Sequence, residues 1–187
     1  MQMIRWAMDE VDPKIILYGE GWDMGTGLAP YDKAKKDNAY QMPNIGFFND
    51  DQRDAVKGGE VYGSIKAGFV SGAATESIVA KAILGSRELG SYLSPNQVLN
   101  YVEAHDNYNL HDLLALHPDH SLDKIMRQVE TATAMSILMQ GMSFIELGQE
   151  FGRTKLLATG ENGELTAADR ERAMNSYNAP DSVNQVN

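Results

Sequence analysis

Val98–Leu99–Asn100–Tyr101–Val102–Glu103–Ala104–His105–Asp106–Asn107 holds the clearest architectural signal in the sequence. An apolar run of strand length closes abruptly on ionisable and amide side chains. Three other runs have the same shape: Ile15–Ile16–Leu17–Tyr18 before Gly19–Glu20, Ile45–Gly46–Phe47–Phe48 before Asn49–Asp50, and Met142–Ser143–Phe144–Ile145 before Glu146. All four read as buried strands. Helical spacing separates some of them. Ile78 and Ala82, with Val79 and Ile83 one step round, mark a helix over Ser77 to Leu84. Ile125, Val129, Ala132 and Ser136, beside Met126, Thr133 and Ile137, mark a longer one over Leu122 to Met139. A further apolar face, Met1, Ile4, Met8 and Val11, predicts an opening helix that Pro13 ends. No capping signal precedes it, so the chain is expected to begin inside an element. Strands alternating with helices give an α/β fold with a largely parallel sheet. The stretch Thr154 to Asn175 is polar and weakly periodic and is expected to be a surface excursion.

The 187 residues are 43% hydrophobic, with 17 glycines and 6 prolines, which is the composition of a globular chain. A formal net charge of −10 repels phosphate backbones and anionic lipid, so neither nucleic acid nor a membrane surface is an expected partner. There are no cysteines, which excludes disulfides, thiolate metal sites and a cysteine nucleophile. Met1 to Lys14 alternates apolar with charged residues and is not a signal peptide, and no apolar run approaches membrane-spanning length. The compartment stays open: a longer parent could be cytoplasmic or secreted.

In α/β folds, reacting groups gather where strands end. The first and third runs end there in carboxylates. Glycoside hydrolysis needs one carboxylic acid to protonate the leaving oxygen and a second carboxylate at the oxocarbenium-like centre. Glu20 is flanked by Gly19 and Gly21, which let a sugar approach the backbone, and Trp22 could stack on a sugar ring. Asp106 lies between His105 and Asn107, a cluster able to bond adjacent hydroxyls. The competing reading makes Glu20 a plain strand-end carboxylate and His105–Asp106–Asn107 a helix cap. On chemistry alone both readings stand.

Tyr18–Gly19–Glu20–Gly21–Trp22–Asp23 and Tyr101–Val102–Glu103–Ala104–His105–Asp106–Asn107 resemble two short motifs of the α-amylase family of glycoside hydrolases, in the forms of its type I pullulanase branch. The resemblance continues through Phe48–Asn49–Asp50–Asp51–Gln52–Arg53–Asp54 and Gly148–Gln149–Glu150–Phe151–Gly152–Arg153–Thr154. It reaches Asn175 to Gln185, so it covers nearly the whole chain in family order. It implies strands five to eight of a (β/α)8 TIM barrel, with residues 1–187 forming the C-terminal part of that catalytic barrel and its N-terminal half absent. Glu20 then matches the general acid/base, Asp106 the aspartate that stabilises the transition state, and His105 a histidine bonding the same sugar. Trp22, Asn107, Tyr177, Asn178 and Asp181 match positions along the glucan cleft. The implied reaction is retaining hydrolysis of α-1,6 bonds in pullulan, starch or glycogen, with no cofactor and no metal.

The family's nucleophile, an aspartate with an arginine two residues before it, should precede Glu20. No such motif is present. Gly46–Phe47–Phe48–Asn49–Asp50 follows Glu20 and has Phe48 at the arginine position. The chain alone is therefore expected to be inactive, and an open half-barrel should oligomerise, aggregate or rearrange through its edges. Other patterns are weaker. Gly25–Thr26–Gly27–Leu28–Ala29–Pro30 has a proline where a dinucleotide turn needs glycine. His105, His111, His117 and His120 are too loosely spaced for one metal site. Met126, Met135, Met139 and Met142 read as core filler. Asp50, Asp51 and Asp54 lack calcium-loop spacing. An isoamylase, a branching enzyme or a non-catalytic glucan-binding module remain the alternatives.

Overall fold

The structure is a computed structural model that describes residues 1–61, 64–118 and 121–186. Strands β1 (Tyr18–Gly19), β2 (Gly46–Phe48), β5 (Val98–Asn100) and β6 (Met142–Ser143) form one sheet in the order β1-β2-β5-β6, every pairing parallel. A short antiparallel hairpin, β3 (Glu60–Val61) and β4 (Ser64–Ile65), stands apart. The helices are α1 (Gln2–Val11), α2 (Asp50–Lys57), α3 (Glu76–Ile83), α4 (Leu110–Ala115), α5 (Leu122–Leu138), α6 (Ala167–Met174) and α7 (Asp181–Asn184). The α/β class and the parallel sheet are as expected. Sequential strands are neighbours, which is the order that half of a (β/α)8 barrel requires.

The register is set by pairs such as Phe47↔Val98 and Leu99↔Met142. Only β5 is buried throughout; β2 is buried except at Phe48, and neither residue of β1 or β6 is fully buried. At the edges Ile16 is 66% exposed and Tyr18 49%, so the expectation of four buried strands fails for the outer pair. The physical reason is the open sheet: an outer strand has a neighbour on one side only. The same applies to α1, whose Met1, Ile4 and Val11 are exposed; its buried residue is Arg5, which donates to the Ile15 carbonyl at 2.5 Å. Its amphipathic pattern was correctly seen, but the apolar face meets no core here.

Beside the sheet, Ala55 and Val56 of α2, Val79 and Ala82 of α3, Leu110 and Leu114 of α4, and Ile125, Val129 and Ala132 of α5 share one apolar cluster with Val102 and Met139. A second cluster joins Ala39, Met42, Ile45, Phe47, Tyr92 and Val98 around β2. Asn49 ties the two central strands together. Its N–H donates to Leu99 O at 3.0 Å, and its side chain caps α2, accepting from Gln52 N at 3.3 Å, while donating to Asn100 Oδ1 at 3.2 Å. The stretch 154–175 is not a surface excursion throughout. It contains α6, opened by a Thr166–Asp169 capping box, and it buries Lys155, Asp169 and Ala173. A polar sequence conceals this because its buried members are charged.

Gln97, fully buried, donates to Ala39 O at 2.7 Å and Met42 O at 2.9 Å and accepts from Leu93 N at 2.7 Å. Gln97→Ala strands those three groups and should cost about 2 kcal/mol or more, read as a lowered urea midpoint with unchanged slope.

Candidate active site at the strand ends

Parallel pairing puts the C-terminal ends of all four strands on one side, and a cleft of about 270 Å³ opens there. Its floor is aromatic. Phe48 packs edge-on against Tyr101 and Phe144, each with ring centroids 5.0 Å away, and against Tyr18 at 6.1 Å. One ring thus comes from the end of each strand. Edge-to-face packing at these separations favours a fixed arrangement of the rings.

Glu20, Trp22, His105, Asp106 and Asn107 all line this cleft. Glu20 leaves β1 between its two glycines and is exposed. Gly21 has φ +77°, and a Cβ there would lie 2.7 Å from Phe47 Cδ1, so only glycine fits the turn that presents Glu20. Trp22 is 38% exposed, and the Lys36 ammonium sits 3.7 Å from its ring centroid. Lys36 also pairs with Asp50 and donates its N–H to Gly21 O at 2.9 Å. The ammonium thereby covers one face of the indole.

The opposite wall is the loop after β5. His105 Nε2 lies 3.5 Å from Asp106 Oδ1, and Asn107 turns the chain with φ 66°. A backbone bridge pairs Asp106 with Asn175, and Ser176 N–H donates to the His105 carbonyl at 3.2 Å. Tyr177 follows, its ring centroid 5.3 Å from that of His105. Tyr177, Asn178 and Asp181 are not among the residues that line the cleft; all three are exposed, Asp181 at the start of α7. The helix-cap reading of His105–Asp106–Asn107 also fails, because Asn109 occupies the N-cap of α4.

Phe48, Arg53, Tyr101, Ala104 and Phe144 line the cleft too, and none was singled out from the sequence as a site residue. Arg53 Nη1 donates to the Tyr101 hydroxyl at 2.8 Å and Nε to Asp54 at 2.7 Å. Burial pushes the Tyr101 hydroxyl upward. The available signal was position: each of these residues lies at or just past the end of an apolar run, and Arg53 sits one turn into the helix that follows. Among the described residues no three His, Asp or Glu side chains gather as metal ligands. His120 lies outside the described residues. A larger hollow, about 610 Å³ between Ile65, Tyr108, Leu116 and Met174, offers Arg170 and Glu171 as its charged groups. None of the strand-end residues Glu20, Phe48, Tyr101, Asp106 or Phe144 lines it.

Beneath the Asp106 loop, Glu103 is 1% exposed. Its Oε2 accepts from Leu110 N at 2.8 Å, and Oε1 has no hydrogen-bond partner among the described residues. Burial first, and then the nearby Glu146 carboxylate, raise its pKa from 4.5 to about 7. A raised folded-state pKa means the native chain binds a proton that the unfolded chain has lost, so this contribution to stability is complete below pH 4.5 and disappears by about pH 7. Glu103→Gln keeps an acceptor for Leu110 N–H and cannot titrate. Thermal unfolding should show the wild type losing more stability than this variant between pH 4.5 and 7.

No protein-family model matches the chain. The chain is 41% identical to the pullulanase of Bacillus subtilis over 182 residues, 93% of its own length and 23% of that protein's. It is 30% identical to pullulanase A of Streptococcus pneumoniae over 157 residues, 80% of this chain and 12% of that protein. The crystal structure of the Anoxybacillus sp. LM18-11 pullulanase complexed with maltotriose superimposes with a TM-score of 0.84 at 40% identity, covering 100% of this chain and 24% of that one. The apo pullulanase of Paenibacillus barengoltzii gives 0.83 at 37% identity, covering 98% and 27%. The chain thus spans about a quarter, or less, of the length of these proteins. Agreement in sequence and in fold over nearly every residue identifies the chain as a segment belonging to the pullulanase family.

Proposed function

We propose that these residues supply part of the active site of a glycoside hydrolase that cleaves α-1,6-glucosidic bonds in pullulan, starch or glycogen with retention of configuration. The observation that carries this reading is the convergence of Glu20 and Asp106, from the ends of β1 and β5, on one aromatic-floored cleft. A cleft with carboxylates on both walls and flat apolar surfaces suits a neutral sugar, whose hydroxyls need acceptors and whose C–H faces need rings. The maltotriose complex of the Anoxybacillus relative supports an oligosaccharide as the ligand class.

In this reading Glu20, as the acid, protonates the glycosidic oxygen while the bond to the anomeric carbon breaks. A carboxylate outside these 187 residues attacks that carbon and forms the glycosyl intermediate. Glu20, now deprotonated, removes a proton from the water that releases the sugar. Asp106 and His105 grip hydroxyls of the distorted ring as positive charge develops, and Trp22 stacks on a neighbouring unit. Tyr177, Asn178 and Asp181 act further along the glucan. The sheet is half of a (β/α)8 barrel whose open edges would be covered by the other half.

The test is reducing-sugar release from pullulan. The purified chain should give none above background, since loss of one essential member of a catalytic set costs on the order of 10⁴–10⁶ in turnover. Release that disappears in Glu20→Gln would mean a nucleophile lies within the chain, contrary to this reading. A longer polypeptide carrying these residues should hydrolyse pullulan in preference to amylose and lose turnover in Glu20→Gln. Preference for amylose would instead point to a relative acting on α-1,4 bonds. Full activity in the variant would remove Glu20 from the mechanism.

A further inference from the structure

A buried ammonium lies behind the Asp106 wall of the cleft. Lys155 is 1% exposed, and it comes from the polar stretch in which the sequence shows no functional feature. A lysine at such a position needs partners, because an unpaired charge out of water is costly. Its Nζ donates to Glu146 Oε1 at 2.7 Å and to Ser176 Oγ at 2.8 Å. Its N–H donates to Asp112 Oδ2 at 2.7 Å. Glu146 follows β6, Asp112 lies in α4, and Ser176 follows α6, so three otherwise separate segments meet on one residue.

Ser176 carries the connection to the cleft. Its hydroxyl accepts from Lys155 and donates to the His105 carbonyl at 3.3 Å, while its own N–H donates to the same carbonyl at 3.2 Å. The next residue, Tyr177, places its ring against His105. Loop 104–107 has few other fixings: His105 and Asp106 are exposed, and Asn107 occupies left-handed space. A donor polarised by a neighbouring cation makes a stronger bond than a neutral hydroxyl alone.

We propose that Lys155, acting through Ser176, is the positioning residue that fixes His105 and Asp106 at the cleft wall. Lys155 touches no substrate; it sets where the sugar-gripping side chains stand. The inference rests on the glycosidase reading for its consequence, though not for its geometry.

Two readouts, taken on a longer polypeptide that carries these residues, separate the positioning role from the glycosidase reading. One is the His105 imidazole resonance, followed by NMR; the other is maltotriose affinity. Lys155→Met and Ser176→Ala should each move the His105 resonance and weaken maltotriose binding about tenfold, the factor represented by one charge-assisted hydrogen bond. Lys155→Arg should retain most of the affinity, and the Trp22 indole resonance on the other wall should stay in place. Because both residues act in one relay, the double variant should lose no more than either single one. If Lys155→Met does not fold, Ser176→Ala still decides, since it keeps the backbone bond and removes only the hydroxyl. Folded variants with an unmoved His105 resonance, or additive losses, would overturn the proposal. A wild-type longer polypeptide that binds no maltotriose while the His105 resonance responds as described would count against the glycosidase reading and leave the positioning role standing.

Discussion

Everything at the candidate site depends on four parallel strands ending at one level. Parallel pairing gives the strands a common direction, so whatever follows each C-terminal end emerges on the same side. The ladder from Tyr18↔Gly46 through Phe47↔Val98 to Asn100↔Ser143 fixes that level. A slip by one residue would turn the strand-end side chains to the opposite face and dismantle the aromatic floor. The Asn49 side chain, caught between Ser86 Oγ at 2.7 Å and Asn100, opposes such a slip at the centre of the sheet, where buried amides are satisfied in one register only.

The two walls of the cleft are held by different physics. On the β1 side a glycine turn and a lysine stacked on Trp22 place the indole through contacts near the surface. On the β5 side the fixing is deep. Lys57 and Lys155 are 2% and 1% exposed, and with Glu103 and Glu146 they form a cluster of opposite charges under the loop. Such clusters rarely add net stability, but their strict geometry favours one arrangement of the segments that meet on them. The catalytic candidates Glu20 and Asp106 are themselves exposed, as expected of groups that meet a ligand.

The α/β class, the positions of the four strands, and helices α3 and α5 were legible because each has an unmistakable hydrophobic period or run. Helix α2 was not: Asp50 to Lys57 is mostly charged, and its burial depends on Ala55 and Val56 meeting α3. Helix α6 was hidden for the same reason, whereas α4 is rich in leucine but only six residues long. At the site, Glu20, Trp22, His105, Asp106 and Asn107 stood out as polar or flat side chains at strand ends, a reading that chemistry alone left open and the resemblance favoured, and the structure brings them together. Tyr177, Asn178 and Asp181 were named by resemblance alone and do not line this cleft, although the Tyr177 ring lies against His105. Arg53, Phe48 and Phe144 were missed because an arginine in a helix and rings in strands look like ordinary surface and core. Lys155 left no trace, since burial of a lysine is decided by partners distant in sequence.

If the strand-end cleft is where an α-glucan binds, titration with maltotriose of an isotope-labelled longer polypeptide carrying these residues, followed by amide and side-chain NMR, should give saturable shifts concentrated at Trp22, His105, Asp106 and Asn107, with the hollow around Ile65 and Met174 unaffected. Shifts centred on that hollow, or none at millimolar sugar, would contradict that reading.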